Sequence, residues 1–266
     1  MPQKPRAIWK SVCLTAAILA CGAVSAAKAA HPDFTGIWET HREPGQRRAS
    51  GFGALRPNLP LTAEGKRLVE QYRKLSGPQR DNPAAYCAEY GMPMMMQQPG
   101  GYPLEFIQKP DQLTIIYEVD NEVRRIYLDG RHQPEDKRLS SRDGYSEGHW
   151  EGNVLVVKTT NLTDGIDQSM HPHSDKAAIE ERFSFGKAGD GKKIIRWEAT
   201  ITDPVYYTKP IKVEHEYQPL NGFMIPYDCA NQLWNELLDM RRKQMKEGKP
   251  VDAQMSDVYK AREANE

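Results

Sequence analysis

Apolar and polar residues alternate with a period of two along most of the central chain, as in strands that bury one face. Turn sequences such as Asp164-Gly165 and Gly189-Asp190-Gly191 separate these segments. The segments are Leu104 to Gln108, Leu113 to Val119, Val123 to Leu128, Val154 to Thr160, Ile179 to Phe185, Ile194 to Ile201 and Ile211 to Tyr217. The pattern predicts a mostly β protein, built as a meander of antiparallel strands.

A period near 3.6, typical of amphipathic helices, occurs in two segments. The first is a short N-terminal helix from Thr62, which can serve as its N-cap, to Leu75. The second is a C-terminal helix from about Asn231 to Lys246.

The remaining stretches predict connections and ends. Residues 40–60 and 80–103 are rich in Pro, Gly and Arg, and we expect long connections there. Since no linker divides residues 30–248, we expect them to form one domain, followed by a mobile tail over residues 249–266.

The first 29 residues have the composition of a secretory signal peptide. A basic start is followed by a short apolar run, Val12 to Val24, and by an Ala-x-Ala cleavage sequence that ends at Ala29. The run is too short to cross a bilayer, so we expect an exported protein, periplasmic or secreted, with no membrane span. An alternative interpretation treats Ile18-Leu19-Ala20-Cys21 as a lipoprotein box, with a lipid anchor on Cys21.

Cleavage after Ala29 changes both the charge and the cysteine content. It removes four basic residues and no acidic one, so that the mature chain has 32 of the 36 basic residues and all 36 acidic residues. This mild negative charge argues against a nucleic-acid partner. In an oxidising compartment the remaining Cys87 and Cys229 are expected to form a disulfide, and two free thiols are the alternative.

The run Met92-Pro93-Met94-Met95-Met96 lies in the second long connection. Methionine packs in cores, lines apolar ligand pockets and binds copper in exported proteins. Packing or a pocket is favoured here, because Cys87 is the sole Cys or His in the same connection.

Two sets of residues resemble known proteins. Gly36-Ile37-Trp38 resembles the Gly-x-Trp motif in the first strand of lipocalin-like barrels. A longer similarity rests on YPLEFIQKPDQLTIIYE, RRIYLDGRHQPED, GHWEGNVLVVKTTNLTD, HPHSD with the following ERF, and ITDPVYYTKP. These resemble a large family of exported bacterial proteins, mostly of unknown function, that are expected to be lipocalin-like. The resemblance implies that the meander closes into a lipocalin-like barrel. One departure is His132, which stands one position before the histidine of the family pattern Asp-Gly-Arg-x-His-Pro.

Strand alternation places polar side chains on the inner face of such a barrel. Tyr117 shares a face with the apolar residues of its segment, and Glu181 lies on the apolar face of residues 178–185. A buried carboxylate must be paired or protonated, so Glu181 is a candidate acid or base. The alternative is a structural ion pair of Glu181 with Arg125 or Arg131.

His171-Pro172-His173 precedes that strand and reads as a loop at the mouth of the barrel. Both histidines can titrate near neutral pH. A metal site needs at least one further ligand, and the chain has no His-Glu-x-x-His motif, so we expect no metal. The nucleophile elbow of hydrolases and the glycine-rich loops that hold nucleotides are also missing from the sequence, and we expect no cofactor.

Acid–base chemistry without a cofactor remains as the catalytic hypothesis. The candidate catalytic residues are His173, Glu181, His171 and Tyr117, and the candidate substrate-binding residues are Arg125, Arg131, His149, Trp150 and Glu105. An apolar barrel with these groups suits a small aromatic or otherwise apolar molecule. We expect a lyase that releases formaldehyde or water from a lignin-derived phenolic dimer, with His173 and Glu181 converging on one open space. The alternatives are a carrier of an apolar ligand and an envelope interaction protein that uses the two long connections.

Overall fold

A computed structural model describes residues 31–42, 59–76, 90–97, 101–128, 130–167, 170–227 and 232–264. From His31 onward the chain forms one compact unit. The expected signal peptide, Cys21, Cys87 and Cys229 lie outside the described residues, as does much of the two long connections.

The described part of the chain contains eleven strands. They are β1 (Gly36–Thr40), β2 (Leu104–Lys109), β3 (Gln112–Tyr117), β4 (Val123–Tyr127), β5 (Tyr145–Glu151), β6 (Val154–Thr160), β7 (Gly165–Ile166), β8 (Pro172–His173), β9 (Ala178–Lys187), β10 (Lys193–Thr202) and β11 (Ile211–Pro219). Nine of them close into a barrel in the order β1, β11, β10, β9, β6, β5, β4, β3, β2, while β7 and β8 form a separate two-stranded sheet. The predicted mostly β barrel is thereby confirmed.

One strand pair differs from the predicted antiparallel meander. β4 and β5 run parallel, with Ile126 beside Ser146 and Tyr127 beside Glu147. Parallel neighbours need a long connection that returns to the starting end of the first strand, and residues 128–144 provide it. The expectation of antiparallel pairing throughout is wrong here, because β5 was missed in the sequence. Its SEGHWE segment lacks a clear apolar alternation.

The described ranges contain three α-helices: α1 (Ala63–Ser76), α2 (Gln232–Lys246) and α3 (Met255–Glu263). The hydroxyl of Thr62 accepts a hydrogen bond of 3.1 Å from the backbone N–H of Gly65, as expected of an N-cap. Helix α3 lies in the expected mobile tail, and its Val258 is buried against α2. None of the helices in the described ranges is long and apolar enough to span a membrane.

The two ends of the barrel differ in chemistry. At one end, which we call the polar end, β3 and β6 finish and β4, β5 and β9 begin, so the loop that contains β7 and β8 starts and finishes there. The opposite, aromatic end carries the β5–β6 and β9–β10 turns, and there Phe34 is completely buried. Phe34 packs against Trp150 and Phe185, with ring centroids 5.8 and 4.8 Å away.

Candidate functional site

A buried ion pair lies inside the barrel near the polar end. Arg124 on β4 and Glu181 on β9 are 1% and 0% exposed. Arg124 Nη1 donates to Glu181 Oε1 at 2.9 Å, and Nη2 donates to Oε2, so the contact is bidentate. Burial by itself would lower the pKa of Arg124, but the adjacent carboxylate raises it above its usual value. Arg124 therefore remains charged.

Further hydrogen bonds satisfy the pair. Glu181 Oε1 accepts from the Trp197 indole at 2.9 Å, and Oε2 accepts from the Thr159 hydroxyl at 3.2 Å. Arg124 Nη2 donates to Thr159 Oγ1 at 2.8 Å and to Ser146 Oγ at 3.0 Å. This geometry is that of a structural ion pair.

The expected partner of Glu181 needs correction. Its guanidinium comes from Arg124, not from Arg125 or Arg131. Arg125 is on the opposite, exposed face of β4 because neighbouring residues of a strand point to opposite sides. Within the described residues, Glu181 and His173 share no hydrogen-bond partner, and their convergence on one open space stays a prediction.

Tyr117 points into the barrel, as predicted, and is 2% exposed. Its hydroxyl donates to the Met96 sulfur at 2.8 Å, and the Tyr217 hydroxyl donates to the Met96 carbonyl oxygen. Burial raises the pKa of both phenols well above the usual value, so both stay neutral donors. We call residues 91–97, which include Met96, the methionine segment. The side chains of Met92 and Met94 to Met96 are at most 1% exposed, so they pack into the core in this structure.

The loop over the polar end contains a buried histidine–carboxylate pair. His171 Nδ1 lies 2.9 Å from Asp167 Oδ2, and the backbone N–H of His171 donates to Asp167 Oδ1, also at 2.9 Å. The two side chains are 7% and 3% exposed. A carboxylate in this position orients the imidazole through Nδ1, and it leaves Nε2 for another partner.

His173 follows in β8, where it pairs across the small sheet with Gly165. Its Nδ1 is buried and has no hydrogen-bond partner within the described residues, while its ring bonds to the backbone of Thr163. Nε2 must therefore donate that bond, and Nδ1 carries the lone pair. Burial lowers the pKa of His173, although nearby Asp167 opposes the shift, and the ring is neutral at neutral pH.

Neighbouring hydrogen bonds hold the backbone of this His-Pro-His sequence. The Tyr207 hydroxyl donates to the Pro172 carbonyl at 2.7 Å. Asp203 accepts from the Ser174 backbone at 2.7 Å and from its hydroxyl at 2.9 Å. Residues on both sides of His173 are thus fixed to the turn after β10.

Sequence reasoning missed Asp167 as the partner of His171. The spacing Asp-x-x-x-His was present, but in a loop it carries no distance information, unlike the same spacing in a helix.

The predicted substrate-binding residues lie elsewhere. Arg125 and Glu105 lie on the outer face of the barrel. Near the aromatic end, Arg131 pairs with Asp111 at 2.8 Å, His149 Nε2 lies 3.5 Å from Glu151, and Trp150 stacks on His31 with centroids 4.6 Å apart. Arg125 and Glu105 point away from the barrel interior, and the part of all five residues in substrate binding stays a prediction.

Among the described residues, no group of three or more His, Cys, Asp or Glu side chains is arranged to hold a metal ion. Comparison with protein families finds no family model that matches the chain, and comparison with curated proteins finds no match either.

Proposed function

We propose that the protein is an exported, cofactor-independent lyase that acts on a small aromatic molecule at the polar end of the barrel. The observation that carries this proposal is that one loop contains two histidines in different environments. His171 is held by the Asp167 carboxylate, and His173 has a neutral ring with a buried, unpartnered Nδ1 among the described residues. An acid and a base with distinct environments are what proton-transfer catalysis needs.

The two histidines take opposite parts in the reaction. His173 acts as the base, because its lone pair at Nδ1 has no competing donor in the described structure. His171 acts as the acid, because the Asp167 carboxylate holds Nδ1 and orients the ring, so that Nε2 is the nitrogen that can donate a proton to the substrate. This assignment replaces Glu181, whose two oxygens are already bonded to Arg124, Thr159 and Trp197.

A phenolic dimer with a hydroxymethyl group next to a hydroxyl-bearing carbon suits these roles. His173 takes the proton of the hydroxymethyl O–H, and the bond between that carbon and its neighbour breaks to release formaldehyde. The electron pair forms a carbon–carbon double bond as the adjacent hydroxyl leaves, and His171 protonates that hydroxyl to give water. In simple dehydration, His173 removes a carbon-bound proton instead, and water is the sole small product.

The test is turnover of such dimers by the purified mature protein. We expect formaldehyde and the alkene product to form in equal amounts, measured by derivatisation and mass spectrometry. His173→Ala and His171→Gln should each lower kcat by about 100-fold or more, since general acid–base groups contribute about 10²- to 10⁴-fold. His132→Ala is the matched control, because this histidine is exposed and is not one of the candidate site residues, and it should retain full activity.

Two results would contradict the proposal. Equal losses in the His173 and His132 variants would remove the assignment of the base. Saturable binding of the dimers without any product would instead support the carrier function, in which the same barrel holds a ligand without converting it.

A further inference from the structure

The methionine segment (residues 91–97) packs into the barrel core beside the ion pair. Its last residues, Met94–Gln97, form a 3₁₀ turn, and Met94, Met95 and Met96 are completely buried. These side chains belong to the same apolar cluster as Leu104, Ile115 and other inward residues of the barrel. Three unbranched, flexible thioether chains thus fill this part of the barrel core.

Two buried phenols converge on one residue of this segment. Tyr117 donates to the sulfur of Met96 at 2.8 Å, and Tyr217 donates to the Met96 carbonyl oxygen. A thioether sulfur is a weak acceptor, so the Tyr117 hydroxyl is left with a poor partner in a completely buried position. An oxygen acceptor in the place of that sulfur would make the stronger bond.

The segment also leaves a polar group of its own unsatisfied. The Gln97 side-chain nitrogen is buried and has no acceptor within the described residues. Burial of an unpaired amide is unfavourable. Withdrawal of this turn from the core would expose the methionines to water, but it would also let the Gln97 amide form hydrogen bonds with water.

We propose that the methionine segment occupies the binding site of an aromatic ligand that carries a carbonyl or similar oxygen acceptor. The ligand ring takes the volume of Met94 to Met96, and its oxygen accepts the hydrogen bond of Tyr117, with Tyr217 as a second donor. The site deepens the proposed function, and rests on it, in that it names where the aromatic part of the substrate is held. Arg124 and Glu181 lie beside this site, where their charges and hydrogen bonds are already satisfied, and the pair forms the polar wall of the site.

The test compares two probes that differ in one group. 4-Hydroxyacetophenone carries a carbonyl oxygen, and 4-ethylphenol has the same ring with a methylene group there, so neither can be converted by formaldehyde release. We expect calorimetric titration to show that the wild-type mature protein binds the ketone more tightly than 4-ethylphenol. Tyr117→Phe should weaken ketone binding by about five- to tenfold, the contribution of one hydrogen bond, and change 4-ethylphenol binding by less than twofold.

Variants of the segment test the displacement. Met96→Ala removes bulk and the sulfur acceptor, so it should strengthen binding of both probes, and Met96→Leu covers the case in which the alanine variant does not fold. Tyr145→Phe is the matched tyrosine control, because its hydroxyl accepts from the Gln133 backbone outside the barrel core, and it should leave both affinities unchanged.

Several outcomes would overturn the site. These are no ketone binding up to its solubility limit, an equal effect of Tyr117→Phe on both probes, or unchanged affinities in both Met96 variants. Turnover of the phenolic dimers is a separate measurement. A protein that binds the ketone as described but converts no dimer refutes the proposed reaction and leaves the binding site standing.

Discussion

At the scale of single residues, the main feature near the polar end is the buried ion pair of Arg124 and Glu181. Two charges inside a barrel cost desolvation free energy, and they are tolerated because a bidentate contact and hydrogen bonds from Trp197 and Thr159 compensate it. The pair connects β4 to β9, which are separated in the barrel by β5 and β6. It therefore links two strands that are not neighbours and favours this arrangement of the strands.

Removal of one partner should be far more costly than removal of both. Glu181→Gln leaves the Arg124 charge buried and uncompensated, so the free energy of unfolding should fall by about 3–5 kcal/mol. Urea denaturation followed by circular dichroism measures this change. Glu180→Gln, on the exposed neighbour, is the control and should change stability by less than about 0.5 kcal/mol. Arg124→Met combined with Glu181→Leu should recover more than half of the lost free energy of unfolding. A Glu181→Gln variant as stable as the wild type would show that the pair contributes nothing to stability.

At the scale of elements, one arginine connects the three helices. Arg241 on α2 is 1% exposed, and its Nε and Nη2 donate to the Ala253 carbonyl at 2.9 and 2.7 Å. Its Nη1 donates to the Leu75 carbonyl at 3.2 Å. The guanidinium thus satisfies a carbonyl in the last turn of α1 and one just before α3.

Loss of this guanidinium should loosen the helical layer. Arg241→Met keeps the apolar stem but leaves two buried carbonyls without their charged donor, so stability should fall by about 2–3 kcal/mol. Hydrogen exchange followed by mass spectrometry should show faster exchange in α3. Arg242→Met alters the adjacent residue, which is half exposed and pairs with Asp239, and its exchange pattern should match the wild type. Equal exchange in the two variants would refute the role of Arg241.

At the scale of the whole molecule, the closed barrel hides ionisable groups that tie stability to pH. His215 on β11 is largely buried beside Tyr217, with ring centroids 4.9 Å apart. Burial, with a smaller effect from Arg42, lowers its pKa to about 4. The lowered pKa of His173 acts in the same direction.

The barrel should therefore lose stability in mild acid. Between a pKa of about 6.5 in the unfolded chain and about 4 in the folded protein, the unfolded state binds more protons at His215. The contribution is fully present above pH 6.5 and is lost as the pH falls to about 4, by up to about 3 kcal/mol. Urea titrations at pH 7.5, 5.5 and 4.5 measure it. His215→Gln should flatten this dependence and the exposed His149→Gln should not; a parallel pH profile in both variants would contradict the assignment.

The sequence by itself determined the element types, because the periods of two and 3.6 are properties of single strands and helices. The bounds Val154 to Thr160 agree with β6, and those of α1 and α2 agree within about one residue. Tyr117 and Glu181 were placed on inward faces by the same alternation, and the structure has both inside the barrel.

The tertiary structure alone decided which side chains meet. Arg124 and Glu181 are 57 positions apart and Tyr117 and Met96 are 21 apart, and no local period carries such distances. The face of β4 that turns inward selected Arg124 over Arg125, and the loop conformation brought Asp167 to His171. Alternation separates the two faces of a strand, but strand order and loop closure depend on contacts summed over the whole barrel, which is why the partners of Glu181 and His171 could not be predicted from the sequence.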